Sequence, residues 1–258
     1  MELVPNYVDY SSVNSLAAVL RWCDTAGLWF LQQLVDGIVR ENLQVSLMQA
    51  AVMRVIKVEL QVRGAVWESM FSAFACSGGC GSGSSVIVAP SLSRLGTTSY
   101  TIQNQVSAAT GLLLAKVETV MVQLDPSLSR PVPLPHPQTL RNLLRPAPSL
   151  SVLSVGEPPD DSFQWQVQVR PSDCDLLGHM NNASFAVLFE DARRAASSGN
   201  CLDLSQASIE YVGQAMAFEM LRITVWWDSQ VLAFGLRMSS QKGVLARAVL
   251  VPFQDSRM

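Results

Sequence analysis

Residues 169–194 read VRPSDCDLLGHMNNASFAVLFEDARR, and within them Asp173 to Asn182 gathers two aspartates, one of the chain's two histidines and two asparagines. Upstream the chain alternates: Phe163, Trp165, Val167 and Val169 fall on one face, Gln164, Gln166, Gln168 and Arg170 on the other. That period of two predicts a half-buried strand, Phe163 to Arg170. Downstream, Phe185, Leu188, Phe189 and Ala192 recur at helical spacing, so a helix is expected over Ala183 to Ser197. Asn181 or Asn182 is placed to cap its first turn, and Arg193 and Arg194 sit toward the negative end of its dipole. A polar turn therefore delivers its side chains to a helix N-terminus. Backbone N–H groups without helical partners favour negative charge there, so a carbonyl oxygen turning anionic during a reaction would be stabilised.

The pattern D-x-D-x-x-G-H-x-N-N-A-x-F followed by F-E-D-A-R resembles the start of the central helix in hotdog-fold thioesterases of the 4-hydroxybenzoyl-CoA thioesterase family. It is also similar to the second hotdog of plant acyl-ACP thioesterases. The first half of the chain resembles the same family through LGTTSYTIQNQV, GLLLAKVETVMVQLD and RPVPLP, in that order. The resemblance implies two hotdogs packed with continuous sheets, binding acyl thioesters between their central helices. It departs from the plant-type pattern at Leu177, where an asparagine is usual, and near Gln214, where an acidic residue is usual.

Composition narrows the function classes. The 258 residues are 49% hydrophobic and 15% charged, enough for well-filled cores. A net charge of −3, with no Lys/Arg run, argues against nucleic acid and against a polybasic membrane patch. Five cysteines without metal-type C-x-x-C pairs argue against a disulfide framework or a zinc site, and no metal or other cofactor is expected. The start MELVPNYVDY has no signal-peptide pattern, and the apolar region Leu16 to Val39 is broken by Arg21, Asp24, Gln32 and Gln33. A soluble, cytoplasmic protein without a membrane span is the expectation, with an organelle left open.

The same order of elements occurs twice. A short strand from Leu3, a long apolar helix over Val13 to Val39, and strands over Val52 to Arg63, Ala65 to Ala75, Val86 to Leu92, Thr97 to Val106 and Leu112 to Leu124 make the first set. The second is the strand and helix already described, then strands near Ala207 to Val212, Glu219 to Trp227, Val231 to Met238 and Val244 to Phe253. Even the closing hairpins match, Gly111-Leu-Leu-Leu-Ala-Lys against Gly243-Val-Leu-Ala-Arg. Prolines clustered between Pro126 and Asp161 mark a linker with one short helical candidate, Gln138 to Leu144; the Gly/Ser-rich Cys76 to Ser85 reads as a flexible connection. The expected fold is α+β, a tandem (double) hotdog in which each half is an antiparallel sheet wrapped around a long central helix. Its parts are an N-terminal hotdog over 1–125, a linker over 126–161 and a C-terminal hotdog over 162–258. With one deletion Asp9, Ser12, Val13, Asn14 and Asp24 align with Asp175, His179, Met180, Asn181 and Asp191, so the second copy is the one expected to be chemically complete.

Thioester hydrolysis needs a carboxylate, donors for an oxyanion and space for an acyl chain. By resemblance Asp175 holds the position of the family's catalytic aspartate, as base or nucleophile; the alternative is an Asx-turn or capping residue. His179 is a candidate for orientation or proton transfer, with a turn-bonded histidine as its alternative. Asn181 joins the catalytic set, while Gly178, Asn182 and Ala183 are candidates for oxyanion or substrate binding; helix capping and tight-turn geometry are the alternatives. Cys174 is discounted as a nucleophile because Asp173 and Asp175 flank it. Asp173 would share a face with Asp175 if the strand ran that far. Glu190 is a candidate to face the cleft, against a solvated role or pairing with Arg193 or Arg194 as the expectation, and Arg21 is expected to pair with Asp24. The partner is an acyl-CoA or acyl carrier protein thioester, met by an intramolecular pair of hotdogs, with further homo-oligomerisation open. The rivals are an inactive acyl-thioester-binding or interaction protein and a 3-hydroxyacyl-thioester dehydratase.

Overall fold

The computed structural model describes residues 2–3, 16–24, 26, 51–63, 86–125, 127, 130–135, 137–151, 154–175, 178–198 and 202–254. The expected strand Ala65 to Ala75, the connection Cys76 to Ser85, the first helix start from Asp9 to Asn14 and the helix beyond residue 26 lie outside them. Among the described residues the strands are β1 (Glu2–Leu3), β2 (Ala51–Leu60), β3 (Val86–Leu95), β4 (Ser99–Ala108), β5 (Leu113–Gln123), β6 (Phe163–Gln168), β7 (Leu204–Tyr211), β8 (Met220–Asp228), β9 (Ala233–Ser240) and β10 (Gly243–Pro252). The helices are α1 (residues 16–24), α2 (Pro137–Asn142) and α3 (Asn182–Ala196).

All ten strands join one antiparallel sheet in the order β1-β3-β4-β5-β2-β7-β10-β9-β8-β6. Its midpoint is the pairing of β2 with β7, from Val55 opposite Glu210 to Glu59 opposite Gln206. Outward from that midpoint the order is β2-β5-β4-β3-β1 on one side and β7-β10-β9-β8-β6 on the other. Each half thus places its strands in the same sequence, and both closing hairpins turn at a glycine of positive φ, Gly111 at 86° and Gly243 at 122°. No side chain adopts that backbone cheaply, which is why the repeat shows in sequence at those turns.

One face of the sheet carries the core. Leu16, Val19, Leu20, Cys23 and Ala26 of the first half are buried at helical spacing, in the same cluster as Ile56 and Val58 of β2 and Ile209 of β7. Helix α3 contributes Phe185, Leu188, Phe189 and Ala192 to it and lies against β8 and β9. Burying Phe189 alone is worth about 2–3 kcal/mol. Glu190 and Arg193 are buried with them, bonded at 2.8 and 2.9 Å, with the guanidinium 5.7 Å from the centre of the Phe234 ring. The expected pairing is present, and it is internal, not solvated.

The segment between the halves is fastened along its length. Leu134 and, from α2, Leu140 pack with Leu92, Tyr100 and Ile102, and Arg145 donates its N–H to the Leu92 carbonyl at 2.7 Å. Further on, Lys57 Nζ reaches Glu118 Oε1 at 2.6 Å, Ser149 Oγ at 3.2 Å and the Leu150 carbonyl at 3.2 Å. Burial raises the Glu118 carboxyl, but hydrogen bonds from Lys57 and Ser149 and the lysine charge outweigh it and hold it below its ordinary range. The Gly156 N–H then meets Asp228 Oδ2 at 3.0 Å in the second half. A proline-rich stretch becomes a strap by bonding to both halves of the sheet.

Candidate active site

Strand β6 ends at Gln168, two residues short of the expected Arg170, because Pro171 begins a single 3-10 turn, Pro171–Asp173. The Asp173 carboxylate takes three bonds from Arg170: from its N–H at 2.9 Å, Nε at 3.0 Å and Nη2 at 2.8 Å. Asp173 therefore braces the turn and does not share a strand face with Asp175. Beyond it, Asp175 and His179 close a loop: Asp175 donates its N–H to the His179 carbonyl at 2.8 Å, and His179 donates its N–H to Asp175 Oδ1 at 3.1 Å. Gly178 turns the chain at φ 78° and donates to the Asp175 carbonyl at 3.0 Å.

The helix start is organised by Asn181. Its Oδ1 accepts the Ala183 N–H at 2.8 Å and its carbonyl accepts from Ser184 at 2.9 Å, while its own N–H goes to the Asp173 carbonyl at 2.8 Å. Asn181 is the N-cap, and the Ala183 N–H offered by sequence as an oxyanion donor is committed to it. Among the described residues the Asn182 N–H, unlike those of Ala183 and Ser184, meets no acceptor within the turn. Tyr211 supports this end by donating its hydroxyl to the Asn182 carbonyl at 3.1 Å and by meeting the Phe185 ring edge-on, with centroids 5.4 Å apart.

Asp175, His179, Asn181 and Asn182 line a cleft of about 520 Å³. The first half of the sheet lines it too, with Met53 and Arg54 of β2 and Met121 and Leu124 from β5 and its end. Gly178 and Ala183 are not among its walls: Gly178 shapes the turn, and Ala183 is buried beneath it, 1% exposed. Sequence reasoning passed over Tyr211 and Arg54. Neither belongs to the motif; both lie on the paired strands at the sheet's midpoint, where Arg54 Nη1 reaches the Tyr211 and Val212 carbonyls at 3.4 Å each.

Two further groups bear on the chemistry. Burial, then the charges of Asp173 and Asp175, raises the Cys174 thiol above its ordinary range, which disfavours a thiolate nucleophile as expected. Asp24 of α1 is pushed up to about 7 by burial. Burial governs it, and its charge adds to the burial that raises Tyr211. The first half's helix thus acts electrostatically on a residue of the second half's cleft.

No protein-family model and no curated protein matches this chain. Solved structures do. An acyl-ACP thioesterase from Bacteroides thetaiotaomicron superposes with a TM-score of 0.71 at 12% identity, covering 97% of this chain and 96% of its own. The 12:0-ACP thioesterase from Umbellularia californica gives 0.72 at 13% identity, covering 97% and 95%. This chain has the fold of the acyl-ACP thioesterases. A putative oleoyl thioesterase from Lactobacillus plantarum agrees, at a TM-score of 0.71 and 13% identity over 99% of this chain and 96% of its own. The single large antiparallel sheet with few helices is the architecture these hotdog thioesterases share with it. No helix among the described residues is long and apolar enough to cross a membrane, and those residues contain no cluster of metal-ligating side chains.

Proposed function

We propose that the chain hydrolyses acyl thioesters, acyl-CoA or acyl-ACP, to a free carboxylic acid and a thiol, as a tandem hotdog with one half over 1–125, a linker over 126–161 and the other half over 162–258. In this reading each half wraps its own central helix, and α3 is the second of these. The observation that carries it is the cleft, lined by Asp175, His179, Asn181 and Asn182 of the second half and by Met53, Arg54, Met121 and Leu124 of the first.

Asp175 acts in one of two ways. Its carboxylate takes a proton from a water that attacks the thioester carbonyl, or it attacks that carbonyl itself, expelling the thiolate and leaving a mixed anhydride that water cleaves. In either route the carbonyl oxygen becomes negative, and the Asn182 N–H at the positive end of α3 is the donor positioned for it. His179 protonates the departing thiolate or holds the substrate. Asn181 and Tyr211 position that helix start. Neither route requires a metal or an organic cofactor.

A second reading has an observation of its own. Asp175 Oδ1 is engaged by the His179 N–H at 3.1 Å, which is what a turn-stabilising aspartate in a non-catalytic acyl-thioester-binding protein would do. Thiol release from acyl-CoA and acyl-ACP of graded chain length, with the natural sequence and with Asp175→Asn, separates the two. Turnover that the substitution removes supports catalysis. Tight acyl-thioester binding without thiol release supports the binding protein, and loss of water from 3-hydroxyacyl-CoA instead of thiol release supports a dehydratase.

A further inference from the structure

The loop between β7 and β8 leaves the cleft at Gln214, and over the next six residues, up to the first residue of β8, every second side chain is large, apolar and exposed: Met216 at 41%, Phe218 at 66% and Met220 at 51%. It is held firmly against the catalytic turn. Met180 donates its N–H to the Ala215 carbonyl at 2.8 Å, Phe218 to the Val169 carbonyl at 2.8 Å, and Met216 pairs with His179 as an isolated bridge. Phe218 is held at φ 69°, in the left-handed region an aromatic residue seldom adopts. A fixed loop that keeps a phenyl ring in water is unlike a surface residue left exposed by chance.

The charges around it are layered by sign. Arg170 and Lys242 are 66% and 69% exposed, while the acids they bond, Asp173 and Glu219, are 9% and 15% exposed. Arg222, two residues along β8 from Met220, is exposed as well. Cations therefore face outward and carboxylates inward around the apolar side chains, on a chain whose net charge is −3. An anionic membrane is disfavoured by that overall charge and by the small number of cations, since surface docking takes a cluster of roughly four to eight. A small acidic protein with an apolar contact face matches the layering.

We propose that the Met216–Phe218–Met220 loop, rimmed by Arg170, Arg222 and Lys242, is the docking surface for an acidic carrier protein that presents the acyl thioester to the cleft. The proposal rests on the thioesterase reading and chooses the carrier-borne substrate over the free coenzyme. Docking beside the catalytic turn brings the tethered thioester to Asp175 and Asn182 from the edge of the cleft, with no requirement for the carrier to enter it.

The test uses the full chain and two variants outside the cleft, Phe218→Asn, which tolerates the left-handed backbone, and Arg222→Glu. Thiol release is measured with matched acyl chains on acyl carrier protein and on CoA. The expected result is a KM for the carrier-borne substrate raised about tenfold or more in each variant, with kcat/KM for acyl-CoA within about twofold of the natural chain. Equal loss on both substrates, or no change on either, overturns the proposal. Direct binding of acyl carrier protein to Asp175→Asn, with and without the loop substitutions, is read alongside. Binding weakened by Phe218→Asn and Arg222→Glu upholds the surface even if no thioester is cleaved, in which case only the catalytic reading falls. Absent or unchanged binding, or loop-dependent sedimentation with vesicles containing phosphatidylserine, overturns it.

Discussion

Across the pairing of β2 with β7, the first half brings Met53, Arg54, Met121 and Leu124 to the cleft, while the second brings Asp175, His179, Asn181 and Asn182. The strand order is the same on both sides, so the backbone repeats and the side chains do not. In the proposed reading, duplication lets each copy keep the scaffold while one carries the chemistry and the other lines the cleft. The buried ion pairs diverge in the same manner. In the second half Glu190 and Arg193 are neighbours on one helix, whereas in the first half Lys57 and Glu118 come from paired strands and also hold the strap through Ser149 and Leu150.

The largest effect that would sharpen this contrast is on rate. Asp175→Asn is expected to lower thiol release by about 10²–10⁴-fold, whereas Asp9→Asn, at the aligned position of the first copy, is expected to leave it within about twofold. Equal losses would mean that both copies are catalytic and would break the comparison. Next is stability. Glu190→Ala leaves Arg193, itself 1% exposed, without its partner, and should cost about 3–5 kcal/mol, or roughly 10 °C in a thermal melt. Glu118→Ala should cost a similar amount and, in addition, make the strap around Ser149 and Leu150 open to limited proteolysis, which Glu190→Ala should not do.

A smaller effect depends on pH. Folding raises Asp24 from its ordinary 3.8 to about 7, so the folded chain holds a proton that the unfolded chain gives up over that interval. Stability should therefore fall as pH rises from about 4 to 7 and level off above it. Asp24→Asn removes that loss, so the variant should gain over the natural chain between those limits, by at most about 3 kcal/mol given the carboxyl's partial exposure. Denaturant melts at pH 5 and pH 8 measure it; a gain no larger at pH 8 than at pH 5 would show that burial does not govern Asp24. The smallest expected effect is at Gly178. A Cβ there meets only the Met216 Cε at an ordinary 3.8 Å, so Gly178→Ala carries the positive-φ cost alone, about 1–2 kcal/mol, with a modest loss of rate.

Much of the sheet was legible. The alternation from Phe163, the helical spacing from Ala183 and the matched hairpins at Gly111 and Gly243 are local patterns, and each became the expected element within a few residues. The polar wall was legible for the same reason: Asp175, His179, Asn181 and Asn182 lie within one short loop and the turn of helix it leads into. Roles inside that wall were less so. Whether Ala183 or Asn182 offers a free N–H turns on which way the Asn181 side chain points, and Asp173 is drawn into the turn by Arg170, a bond that spacing alone does not reveal.

Among the described residues, the sequence by itself determined where most strands and α3 form, that the strand order occurs twice and where the polar groups of the cleft cluster, because these follow from backbone geometry and from neighbours close along the chain. Only the tertiary structure decided that β2 meets β7, placing Arg54 beside Tyr211 and Met53 in the same cleft as Asp175, and that Asp24 of one half bears on Tyr211 of the other. Those pairings join residues more than a hundred positions apart. They arise because apolar faces of both halves share one core, and no local period records which distant strand completes it.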